Sequence, residues 1–336
     1  MIRNSLSFIV ALCLVGCGSE TPAPPSPPPT PSTSQSHGPA IERVKVRLAL
    51  NWFPEAEHGG YYQAKVRGLY AKQGIAMEII KGGPGTPVEI EVGAGRMDFG
   101  IVNADKILST RAEGVPIVGL MAPFQISPRC IIVRDDSPVK TLADLQNLTL
   151  IANGMKPFVK YLQHKYGLAG VDVIPYKGGM ATFLANDNAA MQGYFTSDPY
   201  VLNSKGVKVR SLMLADDGFN PYTSVLVTSE EMIAEHPDVV QNVVRASQTG
   251  WLSYLVLPRF GNAEIASQSE HMDAEILKYG AKQQRLLMLV GDAATSNFGQ
   301  MTEVRWQQLH DQLVEVGATK KSDKSVTHAF TTQFLD

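Results

Sequence analysis

Residues 44–80 read VKVRLALNWFPEAEHGGYYQAKVRGLYAKQGIAMEII, and the patterns in this stretch predict an α/β fold. Residues 44–50 are rich in β-branched and apolar side chains, which predicts a strand. Residues 60–72 carry apolar side chains at helical spacing, and residues 76–80 form another short apolar run. A strand, a helix and a second strand in this order predict a βαβ unit.

The alternation of strands and helices continues along the chain. A short helix over residues 87–95 precedes a strand over residues 97–102. A helix that begins at Asn103 or Asp105 leads to a fourth strand over residues 115–121. Four strands with intervening helices predict a parallel sheet that helices cover on both faces.

A second series with the same architecture follows beyond residue 136. Its predicted elements are helices over residues 142–146 and 156–166 and strands over residues 148–152, 171–176, 190–195 and 207–214. Strand-like connections at residues 128–134 and 213–222 indicate that the chain crosses twice between two mixed α/β lobes. Because ligands of α/β sheets bind outside the carboxyl ends of the strands, we expect the binding site in the cleft between the lobes.

The composition is typical of a chain that folds into a globular domain and carries little net charge. Of 336 residues, 44% are hydrophobic and 18% are charged, and the formal net charge is -2. Such a chain does not attract polyanions strongly, so no nucleic acid partner is expected. The seven histidines form no His-x-x-x-His pattern or Cys-His cluster, so no metal site is expected.

The amino-terminal residues have the pattern of an export signal. Arg3 supplies a positive charge, and residues 5–15 are an apolar run that is short for a membrane span. The run ends in Leu14-Val15-Gly16-Cys17, which resembles the bacterial lipobox. This resemblance implies a lipoprotein signal peptide over residues 1–16 and a lipid on Cys17. An ordinary signal peptide with an incidental cysteine is the alternative.

Residues 17–40 are predicted to be a tether. Eight prolines lie between positions 21 and 39, and this composition favours extended polyproline conformations. The remaining residues are predicted to fold into two lobes. Lobe I comprises residues 41–130 plus 215–336, and lobe II comprises residues 131–214. Once Cys13 leaves with the signal peptide and Cys17 is acylated, Cys130 has no cysteine partner, and we expect it to be a buried apolar residue.

Several motifs in the lobes carry a family resemblance. They are LNWFPEAEHGGYY at residues 50–62, GRMDFGI at 95–101, RAEGVPI at 111–117 and LADL at 142–145. In this order they resemble the thiamine-pyrimidine-synthesis-like and alkanesulfonate-type family of ABC-transporter substrate-binding proteins. The resemblance implies the type II periplasmic-binding-protein fold, an α/β fold of two mixed-sheet lobes joined by two crossovers. Proteins of that fold capture a small solute and present it to a membrane permease.

Four residues near the first strand are candidate ligand contacts. The indole of Trp52 could cover a flat heteroaromatic ring, although a tryptophan after a strand is often part of the core. Asn51 offers both a donor and an acceptor to the edge of a heterocycle. His58 could bond a ring nitrogen or merely cap the first helix, and Tyr62 could contact the ligand or pack.

Five further candidates lie after other strands or near the return crossover. Asn103 and Asn153 lie at predicted helix starts, where free backbone N–H groups await a partner, and a plain helix cap is the alternative for Asn103. The resemblance implies ligand contacts at Thr196 and Asp198, although Asp198 could merely cap its helix. Tyr222 could close over the ligand or be an ordinary hinge aromatic.

Together these patterns predict a lipid-anchored solute-binding protein at the cell envelope that closes over a small heteroaromatic nutrient. The resemblance implies a thiamine-type pyrimidine precursor as the ligand and the transmembrane subunits of an ABC permease as partners. No covalent chemistry, catalytic residue or cofactor is expected, and the protein is expected to be a monomer.

Three alternatives remain open. An aliphatic sulfonate, taurine or nitrate-type anion could bind at helix starts, but Arg129 is the one arginine near a strand junction. The family includes a fungal pyrimidine synthase with a lysine-bound pyridoxal phosphate, yet Val102 and Lys106 occupy the positions of its lysine and histidine. Its cysteine-rich segment is also absent near residues 220–223. An exported sensor or scaffold that serves a receptor is the third alternative.

Overall fold

The computed structural model describes residues 42–269, 272–294, 297–321 and 326–335. The predicted signal peptide over residues 1–16, the predicted lipidation site Cys17 and the predicted tether over residues 17–40 lie outside the described residues. Within the described ranges, no helix combines the length and the apolar character needed to cross a membrane.

Strands and helices alternate along the described residues. The strands are β1 (Val44–Ala49), β2 (Ile75–Ile80), β3 (Phe99–Val102), β4 (Ile117–Met121), β5 (Arg129–Arg134), β6 (Thr149–Ile151), β7 (Asp172–Ile174), β8 (Ala189–Tyr194), β9 (Val209–Met213) and β10 (Val225–Ser229). The α-helices are α1 (Gly59–Val66), α2 (Leu69–Lys72), α3 (Val88–Gly93), α4 (Ala104–Ala112), α5 (Pro157–Tyr166), α6 (Ala181–Leu184), α7 (Asp198–Ser204), α8 (Glu230–Glu235), α9 (Pro237–Val256), α10 (Arg259–Gln268), α11 (Ala274–Met288) and α12 (Glu303–Glu315). Short 3-10 helices lie at Ala56–His58, Leu142–Asp144 and Gly291–Ala294.

The first sheet has the strand order β2-β1-β3-β10-β4. Strand β1 pairs in parallel with β2 and with β3, as the βαβ pattern predicts. Strand β10 lies between β3 and β4 and is antiparallel to both, so the first four strands do not form the purely parallel sheet that their spacing predicts. Local periodicity could not place β10, because its partners lie far away in the sequence.

The second sheet has the strand order β7-β6-β8-β5-β9. Strand β6 pairs in parallel with β7 and β8, whereas β5 is antiparallel to β8 and β9. The segment that the sequence indicated as a strand-like connection thus contains a full strand, β5, in which Cys130 is buried and free. The predicted α/β architecture with two mixed sheets is confirmed.

The chain passes between the two sheets twice, from β4 to β5 and from β9 back to β10. The chain leaves the carboxyl end of β1 into residues 50–58 and the carboxyl end of β3 into Asn103. At the carboxyl end of β8 it continues into residues 195–198. The segments that follow these three strands supply the side chains of the candidate site.

The first predicted helix is divided in two. Gly68 adopts a φ of 66°, a left-handed conformation that glycine tolerates, and it separates α1 from α2. The predicted helix at residues 142–146 is likewise reduced to a 3-10 turn. There the carboxylate of Asp144 accepts the backbone N–H of Thr141 over 2.8 Å.

Gly59 and Gly60 let α1 approach α9 closely. A Cβ atom at Gly60 would lie 2.1 Å from Cδ2 of Trp251, and one at Gly59 would lie 2.1 Å from Cζ of Tyr254. Both aromatic rings are fully buried. This contact fixes the start of α1, and with it the 3-10 turn that precedes the helix, against the core.

Candidate functional site

The loop after β1 supplies the first part of the site. It runs through residues 51–55 into the 3-10 turn Ala56–His58 and then into α1. Gly82 supports this loop, because its N–H donates to the carbonyl of Trp52 over 3.1 Å. A Cβ atom at Gly82 would lie only 2.0 Å from the carbonyl oxygen of Leu50. The glycine therefore permits the close approach that holds the loop.

His58 and Asn51 form a pair within this loop. Nε2 of His58 lies 3.1 Å from Oδ1 of Asn51, and His58 is 1% exposed. Burial lowers the pKa of His58 to about 3, so the imidazole is neutral at pH 7. Since Asn51 Oδ1 accepts, Nε2 carries the proton, and Nδ1 is a bare acceptor with no partner among the described residues.

Trp52 differs from the other two tryptophans of the chain. It is half-buried, whereas Trp251 and Trp306 are fully buried. Its ring meets the ring of Phe53 edge to face, with centroids 5.6 Å apart and an interplanar angle of 67°. An indole in this setting is suited to stacking on a flat ring.

A hydrogen bond joins the two sheets within the site. The hydroxyl of Thr196, which follows β8, donates to Oε1 of Glu57. Both side chains are buried. Gly280 of α11 packs against the same two segments, because a Cβ there would lie 2.7 Å from Cβ of Ala56 and 3.0 Å from the carbonyl oxygen of Thr196. The structure thus brings Thr196 to the loop that carries Asn51, Trp52 and His58.

A second link between the sheets centres on Tyr194 at the end of β8. Its hydroxyl accepts from Nδ2 of Asn103 over 3.4 Å and from Nη2 of Arg129 over 3.2 Å. Oδ1 of Asn103 accepts the backbone N–H of Ser224 over 3.0 Å. Asn103 occupies the N-cap position of α4, but its side chain does not cap the helix. It bonds Tyr194 and Ser224 instead and so joins their segments to β3.

Three carboxyl groups converge on the same region. Burial raises the pKa of Glu57 to about 7 and that of Asp198 to about 6. Burial, reinforced by the charges of Glu57 and Asp198, also raises the pKa of Glu55. Oδ2 of Asp198 accepts the backbone N–H of Tyr194 over 2.7 Å, so the carboxylate reaches back to β8. No group of His, Cys, Asp and Glu among the described residues has the arrangement of a metal site.

The raised carboxyl pKa values predict a pH dependence of stability. The folded chain retains protons on Glu57 and Asp198 that the unfolded chain, with pKa values near 4.5 and 3.8, has already released. This stabilisation is complete below the unfolded pKa values and is lost as the pH rises through about 6 to 7. The lowered pKa of His58 has the opposite effect on the pH dependence of stability. Above about pH 7, however, its imidazole is neutral in both the folded and the unfolded chain, so it does not change the stability there.

We therefore expect the melting temperature of the ligand-free protein to fall between about pH 6 and pH 8. Differential scanning calorimetry over this range checks the expectation. Glu57→Gln removes one of the titrating groups, so its melting temperature should fall less steeply over the same range. A wild-type melting temperature that rises with pH in this window would contradict the assignment.

Two candidates lie apart from this group. Tyr62 is fully buried in the packing around α1, and its hydroxyl lies 3.4 Å from Oε1 of Gln268. Asn153 is exposed in the second sheet's loop after β6, where its N–H donates to Oε1 of Gln192 over 2.9 Å. Neither residue contacts the loop after β1 through a described hydrogen bond.

Tyr222 lies on the return crossover and is fully buried. Its hydroxyl donates to Oδ2 of Asp292 over 2.5 Å and accepts the N–H of Thr302 over 3.0 Å. The guanidinium of Arg305 stands 3.8 Å from the centroid of its ring. These contacts connect the crossover to α12 and its preceding segment.

Sequence reasoning passed over Glu55, Glu57 and Tyr194. The first two were visible in the sequence, because Glu55 and Glu57 are charged residues in the motif PEAEHGG, where few other charged residues occur. Tyr194 had no comparable signal, because its contacts with Asn103 and Arg129 depend on how the two sheets meet.

The chain is similar to proteins whose names state riboflavin binding, formylaminopyrimidine binding or pyrimidine phosphate synthesis. A family model described as NMT1/THI5 like matches residues 55–259, more than half of the chain. The riboflavin-binding protein RibY of Chloroflexus aurantiacus is 25% identical over 269 residues, covering 76% of this chain and 74% of RibY. The formylaminopyrimidine-binding protein of Halalkalibacterium halodurans is 20% identical over 304 residues, covering 86% of this chain and 91% of that protein. The 4-amino-5-hydroxymethyl-2-methylpyrimidine phosphate synthase of Legionella pneumophila is 23% identical over 220 residues, covering 62% and 68%.

Solved structures share the fold. The periplasmic aliphatic sulphonate binding protein SsuA from Escherichia coli superposes with a TM-score of 0.63 at 15% identity, covering 87% of this chain and 93% of that chain. This likeness and the two mixed sheets confirm the predicted periplasmic-binding-protein fold. The residues that the family model matches begin within the motif at residues 50–62, include both passages between the sheets and extend through α9. Because this match covers more than half of the chain, the chain belongs to the NMT1/THI5 like family.

Proposed function

We propose that this chain is the solute-binding component of an ABC importer and captures a small heteroaromatic nutrient between its two sheets. A thiamine-type pyrimidine precursor is the proposed nutrient. One observation carries the proposal: the segment after β1, which includes Trp52, contacts the segment after β8. The hydrogen bond between Glu57 and Thr196 joins these two segments. Polar and aromatic groups from two sheets at one place are what a clamp around a small solute requires.

The names of two relatives support a heteroaromatic ligand. Riboflavin and formylaminopyrimidine, which those names state, are both flat nitrogen heterocycles. In this chain the half-buried indole of Trp52 would stack on such a ring, and the bare Nδ1 of His58 would accept an N–H from its edge. Binding of this kind involves no covalent step, so the solute is released unchanged.

We propose that the clamp works by closure of two lobes. Lobe I comprises residues 41–130 plus 215–336, and lobe II comprises residues 131–214. A solute that shifts an open-to-closed equilibrium from 1:99 to 99:1 must favour the closed state by about 5.5 kcal/mol. One stacked ring and several buried hydrogen bonds supply a preference of this size.

A synthase activity is the second candidate, because relatives with synthase names match the chain. Here Val102 is buried at the end of β3, and Lys106 forms an ion pair of 3.1 Å with Glu89. These residues do not reproduce the cofactor lysine and histidine that the resemblance implies for the fungal enzyme. Incubation with pyridoxal phosphate is therefore expected to give no reducible imine absorbance, and the appearance of one would support the synthase.

A thermal-shift screen tests the proposed function. Aminopyrimidines, flavins, alkanesulfonates and nitrate are added separately to the purified chain. A ligand present at about 100 times its dissociation constant stabilises the folded state by about 2.7 kcal/mol, which raises the melting temperature measurably. We expect such a rise with at least one heteroaromatic compound, and no response to any of them would contradict the proposal.

The amino terminus is proposed to anchor the protein through a lipid on Cys17. The sequence Leu14-Val15-Gly16-Cys17 supports this, as does the proline-rich tether that follows it. Globomycin, which blocks the lipoprotein signal peptidase, is expected to cause the precursor to accumulate. Unchanged processing would refute the anchor. The mature monomer would deliver its solute to a permease, whereas solute binding without any permease encoded nearby would favour an exported sensor.

A further inference from the structure

Apolar side chains are exposed where α1, α9 and α10 meet at the surface. Leu252 and Val256 lie one turn apart near the end of α9, and Val256 is 77% exposed. Leu257 and Phe260, at the junction of α9 with α10, are also exposed, and so is Val66 at the end of α1. We call these five residues the α9 apolar surface.

Side-chain contacts join the three helices at this surface. Nη1 of Arg67, the residue after Val66, donates to Oγ of Ser253 on α9 over 2.9 Å. Nε2 of Gln63 on α1 donates to the carbonyl of Leu257 over 3.0 Å. The end of α1, the last turns of α9 and the first turn of α10 therefore present one continuous face.

Arginines lie at the rim of the α9 apolar surface. The guanidinium of Arg259 stands 4.5 Å from the centroid of the Phe260 ring, and that of Arg67 stands 5.6 Å from the same centroid. Nη1 of Arg285 on α11 donates to the carbonyl of Leu255 over 3.0 Å. Among the residues that the structure describes, neither Arg67 nor Arg259 forms an ion pair with a carboxylate.

The sequence keeps acidic residues away from this surface. Residues 58–77 and 239–263, which supply α1, α2, most of α9 and the start of α10, contain no Asp or Glu. The same ranges contain five basic residues, Lys65, Arg67, Lys72, Arg245 and Arg259. The next acidic residue, Glu264, bonds Gln268 at the far end of α10. Because the whole chain has a net charge of only -2, these helices form a locally positive surface.

We propose that the α9 apolar surface docks the chain onto an anionic lipid bilayer. Exposed apolar side chains enter the boundary between headgroups and acyl chains, and the arginines at their rim pair with lipid phosphates. A face that combines contiguous apolar side chains with basic residues and excludes carboxylates is complementary to a layer of phosphate groups. The inference goes beyond solute capture and does not depend on which solute binds.

The proposed lipid on Cys17 would keep such a bilayer within reach. An extended tether over residues 17–40, at about 3.1 Å per residue, allows the folded part both to reach the membrane and to leave it. Lasting membrane attachment combines an acyl group with a second, basic contact. The α9 apolar surface supplies that second contact.

An environment-sensitive fluorophore at position 256 tests the docking. Val256→Cys in the full chain is labelled and mixed with vesicles of phosphatidylglycerol or of phosphatidylcholine. Cys130 is buried, and the wild-type chain treated in the same way gives the background from other cysteines. We expect a blue shift of the emission with phosphatidylglycerol and a smaller one with phosphatidylcholine. Salt at about 1 M, where the Debye length is about 3 Å, should reduce the difference.

Two further variants assign the shift to this surface. Val304→Cys is the matched control, because Val304 is also 77% exposed but lies on α12 beside Glu303. A fluorophore there should emit alike with both vesicle types. Arg259→Gln, added to Val256→Cys, removes a cation whose described ring contact is with Phe260. It should lower the ratio of docked to undocked chain about five-fold, with the melting temperature unchanged.

The outcomes separate lipid docking from other uses of the surface. Equal emission at position 256 with both vesicle types, or equal shifts at positions 256 and 304, would overturn the inference. A shift in native envelope membranes but not in protein-free vesicles would assign the surface to a protein partner instead. A shift that grows with protein concentration without vesicles would assign it to a second copy of the chain, and each of these two results would overturn lipid docking. A negative solute screen would contradict the proposed function and leave the shift with phosphatidylglycerol expected.

Discussion

Replacing Trp52 by alanine is expected to weaken binding of the heteroaromatic ligand about ten- to hundred-fold while the chain still folds. Stacking of a heterocycle on an aromatic side chain contributes about 1–3 kcal/mol, and about 1.4 kcal/mol corresponds to ten-fold in affinity. The fold itself depends little on this side chain, because Trp52 is half-buried and its described ring contact is with the half-exposed Phe53. The melting temperature of the ligand-free protein should therefore change little.

Calorimetry measures the affinity of this variant, and intrinsic fluorescence locates the contact. The chain has three tryptophans, and Trp251 and Trp306 are fully buried, so ligand-dependent quenching should come from Trp52. Trp52→Phe keeps an aromatic face and is expected to lose less affinity than Trp52→Ala. Wild-type affinity in Trp52→Ala would show that the indole does not contact the ligand.

Replacing Gly60 by alanine is expected to have the largest effect on stability. The new Cβ would lie 2.1 Å from Cδ2 of Trp251, whose ring is fully buried and packs against Tyr61, Phe124 and Tyr254. Such overpacking costs about 1–3 kcal/mol, and more where the neighbours cannot shift. The start of α1 would move away from α9, and the adjoining turn with Glu57 and His58 would move with it.

Chemical denaturation of Gly60→Ala measures this cost, and Gly179→Ala is its matched control. A Cβ atom at Gly179 would meet no heavy atom within 4 Å, and the residue has no left-handed φ, so alanine fits there. The control should therefore keep a free energy of unfolding close to that of the wild type. Equal stability of the two variants would show that the close approach of α1 to α9 does not require glycine.

Much of the fold could be predicted from local patterns of apolar residues in the sequence. The runs at residues 44–50 and 76–80 become β1 and β2, and the helix predicted at residues 156–166 becomes α5. The insertion of β10 between β3 and β4 was not accessible, because its pairing joins parts of the chain that are distant in sequence. Two mixed sheets could nevertheless be predicted, since the connections near residues 128–134 and 213–222 marked the two passages between them.

The candidate site was accessible to a smaller degree. Asn51, His58 and Thr196 were predicted as ligand contacts because polar residues that follow strand ends in this fold tend to meet, and the structure places them on the two segments that the Glu57–Thr196 hydrogen bond joins. Tyr62 was predicted as well, but its ring is buried in the helix packing, since spacing along a helix does not say which face is buried. The contact between Glu57 and Thr196 emerged only from the fold, because the two residues lie more than a hundred positions apart and meet through the joining of the two sheets.

We expect the two sheets to hold a small heteroaromatic solute against Trp52 without transforming it. Calorimetric titration with 4-amino-5-hydroxymethyl-2-methylpyrimidine, a thiamine-type pyrimidine precursor, followed by mass spectrometry of the recovered compound, tests both parts of this expectation. We predict saturable binding of one molecule per chain and recovery of the pyrimidine with its mass unchanged. No saturable heat with this compound, or recovery of a product of different mass, would contradict the account.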